Sequence, residues 1–235
     1  GFTGGFPGKF IEEELANSSI NTDFIHVDGD TRINVKLKGS NETEINAPGP
    51  DVSADQQAEL LTQLEQLTAD DIVIISGSIP GAVDSSIYQQ MAERCSERKI
   101  KFVVDAEKTL LESVLPYGPE FIKPNKVELE EMFGETLTND AAITRCAVQL
   151  MEKGAKKVLV SLGGDGAILV TDSVVLKAEV PTGQIVNTVG SGDSTVAGMV
   201  AGLSCNETLE NSFRRAVASG TATAFTEDLA VQQDI

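Results

Sequence analysis

Two periodicities divide the chain. Between residues 24 and 47, apolar and polar positions alternate: "DFIHVDG", "TRINVKLK" and "ETEINAP" each read as a short strand, and together as an antiparallel sheet. In "TRINVKLK", Ile33, Val35 and Leu37 share one face while Arg32, Asn34 and Lys36 share the other. One side of this sheet is apolar and the other can meet charge. From Ser53 the pattern changes. "SADQQAELLTQLEQL" is amphipathic at helical spacing, "DIVIISGS" is a buried strand, "SSIYQQMAERCSER" is helical and "KIKFVVDAE" is again a strand. The alternation continues through "PEFIKPN" (strand into turn), "KVELEEMFG" (short helix), "NDAAITRCAVQLMEKG" (longer helix) and "KKVLVSLGGDGAILV". Strands and helices alternating at these lengths predict an α/β fold, a doubly wound, mostly parallel sheet with helices on both faces. The antiparallel block then becomes an appendage on that sheet.

The opening "GFTGGFPGKFIEEEL" is a glycine-rich turn leading into a helix with an acidic first turn. A turn of this kind follows a strand, so further chain upstream is expected. With 18 Lys and Arg against 36 Asp and Glu, the net charge is -18. Such a field repels nucleic acid and anionic membrane surfaces. An anionic small substrate would need a local positive pocket, made from helix N-termini, a few basic side chains and a divalent cation. The three cysteines, Cys95, Cys146 and Cys205, are odd in number, widely spaced and set in helical segments, which suits reduced thiols in a cytoplasmic protein. No apolar run approaches the roughly 20 residues needed to span a bilayer, and no signal peptide is visible.

Four stretches carry candidate chemistry. In "NTVGSGDSTVAGMVAG", Gly190, Ser191 and Gly192 precede a small-residue helix, and their N–H groups can converge on an anion with help from the helix dipole. The spacing is neither that of a Walker loop nor that of the dinucleotide fingerprint, because Thr195 stands where the third glycine belongs. Asp193, beside that donor cluster, is a candidate base for an attacking hydroxyl. Helix capping explains it equally well on local sequence. In "KPNKVELEEMFG", Asn125 and Glu128 can support the water shell of a nucleotide-bound magnesium ion, and Lys123 can reach a phosphate. A plain capping box is the stronger local reading of the same pair. "VSLGGDGAILV" offers Ser161, Gly163, Gly164 and Gly166, either a close backbone approach to a ligand or a tight hairpin. "SGSIPG" ends a strand where ligands gather in open α/β sheets, with Ser76 or Ser78 able to bond a sugar; a structural turn is the stronger alternative. Arg32 can clamp an anionic group through its guanidinium fork. His26, the one histidine, is given a structural role, which leaves hydrolase triads and histidine-rich metal sites little to work with.

In their order and separation, "TRINVK", "SGSIP", "IKPNKVEL", "VSLGGDGA" and "NTVGSGDSTVAG" resemble the phosphofructokinase-B (ribokinase-like) family of sugar kinases, its 1-phosphofructokinase and tagatose-6-phosphate kinase branches above all. The resemblance covers essentially the whole chain and implies ATP-dependent phosphorylation of a sugar phosphate, with ATP and Mg2+ as cofactors. It makes Asp193 the base, the N–H groups of Gly190, Ser191 and Gly192 the anion hole, and Asn125 and Glu128 the indirect magnesium support. Lys123, Ser161, Gly163, Gly164 and Gly166 match nucleotide-binding positions, while Arg32 and Ser78 match substrate-binding ones. The resemblance also implies a single kinase domain over residues 1–235, in which the antiparallel block, at about residues 20–48, is a small β lid that can form a homodimer contact. Ser191 replaces the family's usual alanine, and the family's N-terminal strand with its sugar-binding aspartate has no counterpart. The expected reaction is fructose 1-phosphate and ATP to fructose 1,6-bisphosphate and ADP. Tagatose-6-phosphate kinase, or a truncated nucleotide-binding domain without catalysis, are the alternatives.

Overall fold

In the computed structural model, residues 1–38, 42–81 and 83–235 are described. They divide between two units, residues 1–71 with 78–100 and residues 72–77 with 101–235. In the first, the short alternating runs form two small sheets rather than one. Strand β1 (Phe2–Thr3) leads into helix α1 (Gly5–Asn17) and pairs in parallel with β2 (Ile25–His26). Strands β3 (Val35–Lys38) and β4 (Glu42–Ile45) form the expected antiparallel pair, with Val35 opposite Ile45. "DFIHVDG" therefore does not join the lid. Its Ile25 and Val27 are both buried, and their N–H groups bond to the Gly1 and Thr3 carbonyls at 2.9 Å each. A strand committed in this way to β1 has no backbone left on that side to offer the lid.

Two further expectations need correcting. Strand β3 begins at Val35, so Arg32 lies ahead of the strand, not on its polar face. Glu12, Glu13 and Glu14 fall in the second half of α1, whose first turn carries no acid. Glycine is required where this helix begins: a Cβ on Gly4 would stand 2.3 Å from the Gly29 carbonyl oxygen. Helix α2 (Ala54–Gln63) opens on a Ser53–Gln56 capping box, and α3 (Ile87–Glu97) buries Ile87, Tyr88, Ala92 and Cys95. Burial pushes the Cys95 thiol up to about 11, and all three cysteines are free. Cys205 falls one residue past a helix rather than within it.

The second unit carries the main sheet, made of β5 (Ile72–Ser76), β6 (Lys101–Asp105), β7 (Phe121–Ile122), β8 (Val158–Ser161), β9 (Ala167–Val170) and β10 (Val175–Ala178), in the order β10-β9-β8-β7-β6-β5. Strands β5 to β8 are parallel, and β9 and β10 turn back antiparallel at one edge. The helices of this unit are α4 (Lys108–Val114), α5 (Lys126–Phe133), α6 (Asp140–Glu152), α7 (Ser191–Ser204) and α8 (Leu209–Phe225). The sheet is mostly parallel, as expected, with helices on both sides. Its core packs Val103, Phe121, Leu159 and Leu169 of the sheet with Val196, Met199 and Phe213 of α7 and α8. Strand register also places one pair of charges. Val104 lies opposite Ile122, which brings Asp105 and Lys123 side by side where β6 and β7 end.

Helices α7 and α8 approach through small residues. A Cβ on Gly198 would stand 2.9 Å from Ala216 Cα, one on Gly202 would stand 2.7 Å from Ser212 Cα, and one on Gly220 would stand 2.2 Å from Thr195 Oγ1. Gly198→Ala would gain about 1 kcal/mol from helix propensity alone. Because the obstructing atom is backbone, we expect instead a net loss of about 1–3 kcal/mol by overpacking, read as a lowered midpoint in urea denaturation. Glu120 supplies a pH-dependent counterpart. Burial pushes its carboxyl up, but Lys157 at 2.5 Å and Lys156 at 3.2 Å outweigh burial and hold it below the usual glutamate value. A depressed carboxyl stabilises the fold above its unfolded value and loses that contribution as the pH falls. Glu120→Gln should therefore cost about 1 kcal/mol at neutral pH. The deficit should shrink below the ordinary value of 4.5, as melting curves across pH would show.

Candidate active site

Helix α7 begins on a backbone conformation that few residues tolerate. Gly190 holds φ +80°, and a Cβ there would stand 2.4 Å from Leu229 Cδ2. The chain turns sharply at this point, and the first turn of α7 follows with its donors in the open. The Ser191 N–H bonds to the Thr188 carbonyl at 3.2 Å and the Ser194 N–H to the Gly190 carbonyl at 2.8 Å. The N–H groups of Gly190, Gly192 and Asp193 have no acceptor among the described residues. Three donors thus converge at a helix N-terminus, an arrangement that binds anions. The donor set differs from the expected one, because the Ser191 N–H closes the turn and that of Asp193 takes its place.

The structure bears on the capping reading of Asp193. Gly190 occupies the cap position, and no side chain caps the helix. Asp193 is the third helical residue and exposed, with no hydrogen-bond or ion-pair partner among the described residues. Capping does not account for it. A free carboxylate beside open N–H donors can accept a proton from a hydroxyl while the donors hold the group being attacked.

At the ends of β6 and β7, Lys123 is buried and its Nζ lies 3.2 Å from Asp105 Oδ1. The same Nζ lies 3.2 Å from where a Cβ on Gly192 would stand, directly against the first turn of α7. Burial pushes the Asp105 carboxyl up, Lys123 draws it back, and the charge of Asp193 pushes it further up. Sequence reasoning missed Asp105; its place at the C-terminal end of a parallel strand is the signal that could have found it. Asn125 and Glu128 form the capping box that local sequence favoured. Asn125 Oδ1 accepts from the Glu128 N–H at 2.8 Å and Glu128 Oε2 accepts from the Asn125 N–H at 2.7 Å.

A cleft of about 470 Å³ adjoins the first turn of α7, within the usual range for a small-molecule site. Of the expected nucleotide-binding residues, Asn125, Ser161, Gly163, Gly164 and Gly166 line it, together with Ser191 and Gly192. Lys123 and Glu128 do not. The glycines form a tight turn between β8 and β9, with Gly163 at φ +59° and Gly166 at φ +89°. Thr182, Ile185, Val217, Thr221 and Phe225 complete the lining; they gave no sequence signal because each reads as ordinary loop or helix. Ser191 Oγ is buried without a hydrogen-bond partner among the described residues and is available to a ligand in the cleft. The lining is mixed, polar at Asn125, Ser161 and Ser191 and apolar at Ile185, Val217 and Phe225, which suits a nucleotide with its charged and aromatic parts.

The described residues contain no cluster of three or more His, Cys, Asp or Glu able to cage a metal. Glu128 Oε1 has no partner among the described residues, which fits a magnesium ion that keeps its waters and takes its other oxygens from phosphate. Arg32 and Ser78 belong to the other unit. Arg32 lies beside Gly49, its Cβ 4.0 Å from where a Cβ there would stand, and Ser78 is exposed just beyond Gly77, which holds φ +92°.

The model of the pfkB family of carbohydrate kinases matches residues 1–232. This chain belongs to the pfkB family. It is 43% identical to a 1-phosphofructokinase of Bacillus subtilis over 99% of its own length and 77% of the relative's. It is 36% identical to a D-tagatose-1-phosphate kinase of Bacillus licheniformis over 97% and 76%. Phosphofructokinase-2 of Escherichia coli, solved with substrates and products, superposes with a TM-score of 0.93 at 28% identity, over 99% of this chain and 78% of that one. As a pfkB carbohydrate kinase the protein is a phosphotransferase. No helix among its described residues is long and apolar enough to cross a membrane. Gly190→Ala should force a left-handed residue at a cost of about 1–2 kcal/mol and displace the open donors. The expected result is an at least tenfold weaker nucleotide affinity in isothermal titration of a protein that still melts cooperatively.

Proposed function

We propose that this kinase transfers the terminal phosphoryl group of ATP to fructose 1-phosphate, giving fructose 1,6-bisphosphate and ADP. The observation that carries the chemistry is the Asp193 carboxylate in the first turn of α7, unpaired among the described residues; the choice of sugar rests on similarity to relatives named 1-phosphofructokinase. Asp193 takes the proton from the acceptor hydroxyl as it attacks. The N–H groups of Gly190, Gly192 and Asp193 hold the oxygens of the transferring phosphoryl group, in the manner of an oxyanion hole. Lys123 adds positive charge from beneath the same turn. Ser161 and the glycines at 163, 164 and 166 let the nucleotide lie close against the backbone. Magnesium would supply charge neutralisation on the phosphates, and Glu128 with Asn125 would hold it through water.

Arg32 holds the phosphate already on the sugar and Ser78 a sugar hydroxyl. The Arg32 guanidinium, with Lys123, supplies local positive charge against the field of an acidic chain. The protein works in the cytoplasm. Ile33, Val35, Leu37 and Ile45 at and beside the lid strands are exposed, and this apolar side forms the contact with a second copy. A second reading takes a tagatose phosphate as acceptor, favoured by the relative named D-tagatose-1-phosphate kinase.

Two measurements test this. ADP release with fructose 1-phosphate, tagatose 1-phosphate and tagatose 6-phosphate offered separately should show the highest kcat/KM for fructose 1-phosphate, and a higher value for either tagatose phosphate would move the assignment to that sugar. Asp193→Asn should lower kcat about 10²–10⁴-fold with nucleotide affinity retained; unchanged turnover would remove Asp193 from the mechanism. In the same assay, Arg32→Ala should raise the KM for the sugar phosphate about 10–100-fold, the loss of a charge-assisted bidentate contact.

A further inference from the structure

Asp105 takes no part in the proposed transfer, yet it lies against the machinery. Its side chain and that of Lys123 are 18% and 8% exposed, and the two pair at 3.2 Å. The ammonium also lies under Gly192, one residue from Asp193. The buried lysine pairs with the carboxylate that does no chemistry, and the charge of the other, Asp193, is close enough to act on that carboxylate. Asp193 keeps both oxygens free of protein partners among the described residues. The titratable groups acting on Asp105 are Lys123 and Asp193.

We propose that Asp105 is a positioning residue, which holds Lys123 beneath the first turn of α7 and keeps its ammonium from pairing with the catalytic base Asp193. The inference rests on Asp193 being that base. A lysine has four rotatable bonds, and its charge aids phosphoryl transfer only if it is aimed at the phosphate rather than at the proton acceptor. Were Lys123 to swing to Asp193, the carboxylate would be held in its charged form and made a weaker base. Side-by-side placement of residues 105 and 123 at the ends of paired strands makes the Asp105 pairing the one built into the sheet.

The test is steady-state kinetics of the whole protein across pH, with Mg·ATP and the sugar phosphate it turns over best. Asp105→Asn should lower kcat about 10–100-fold with the nucleotide KM within about threefold, and should move the acidic limb of the kcat profile to lower pH by about one unit. Lys123→Met and the double variant Asp105→Asn with Lys123→Met should agree in kcat within about twofold, because Asp105 acts only through Lys123. An unmoved acidic limb, or a double variant clearly slower than Lys123→Met, overturns the proposal and makes Asp105 structural. If Asp105→Asn does not fold, the comparison of Lys123→Met with the neutral double variant decides alone. Full activity in Asp193→Asn would instead remove the base on which the inference rests, an outcome separable from either result at Asp105.

Discussion

The close approach of α7 to α8 is the constraint on which the rest depends. Glycines 198, 202 and 220 leave no room for a side chain between the two helices, so α7 has essentially one axis along which it can lie. That axis sets where its first turn stands, and with it the open N–H groups and Asp193. The same helix pair supplies Thr195, Val217, Gly220 and Thr221 to the wall of the cleft. Packing and binding are thus one arrangement seen from two sides. Gly190 completes it, since the left-handed turn beside Leu229 lets the chain enter α7 without covering its donors.

Electrostatics at the site work against the rest of the molecule. A chain of net charge -18 has to bind phosphates in the proposed reaction, and the groups proposed to hold them carry charge that its net total does not reveal: backbone N–H groups, the dipole of α7, and a lysine buried where β6 and β7 end. Burying Lys123 requires a counter-charge, and Asp105 supplies it from the neighbouring strand. The charge of Asp193 reaches Asp105, so the three groups form one coupled set in which the pairing of one leaves another free.

Much of this was legible in the residues. The period-two and helical patterns gave the alternation of strands and helices, and the order of the motifs gave the family that the family model and the relatives then showed. Some readings went astray where local pattern was asked about partners. "DFIHVDG" alternates as the lid strands do, but its backbone pairs with β1, because both flanks are buried there. Arg32 alternates within "TRINVKLK", yet the strand starts three residues later. The Ser191 N–H, expected to be free, closes the turn on Thr188. In each case the choice lay with a residue distant in sequence or with the geometry of a turn, neither of which periodicity encodes.

What the sequence by itself determined was the set of elements and, through the order of its motifs, the family, because apolar spacing and small-residue turns express local physics. Only the tertiary structure decided where the candidate residues stand and what they touch. Asp193 and a helix cap look alike in the chain, and they separate once Gly190 is seen to hold the cap position. Asn125 and Glu128 are a capping box as well as a candidate water-shell support, since one carboxylate oxygen is spent on the backbone and the other is not. Asp105 is silent in the sequence because its meaning lies in Lys123, eighteen residues away in the chain and 3.2 Å away in space. Proximity of that kind follows from strand register, and register belongs to the sheet as a whole.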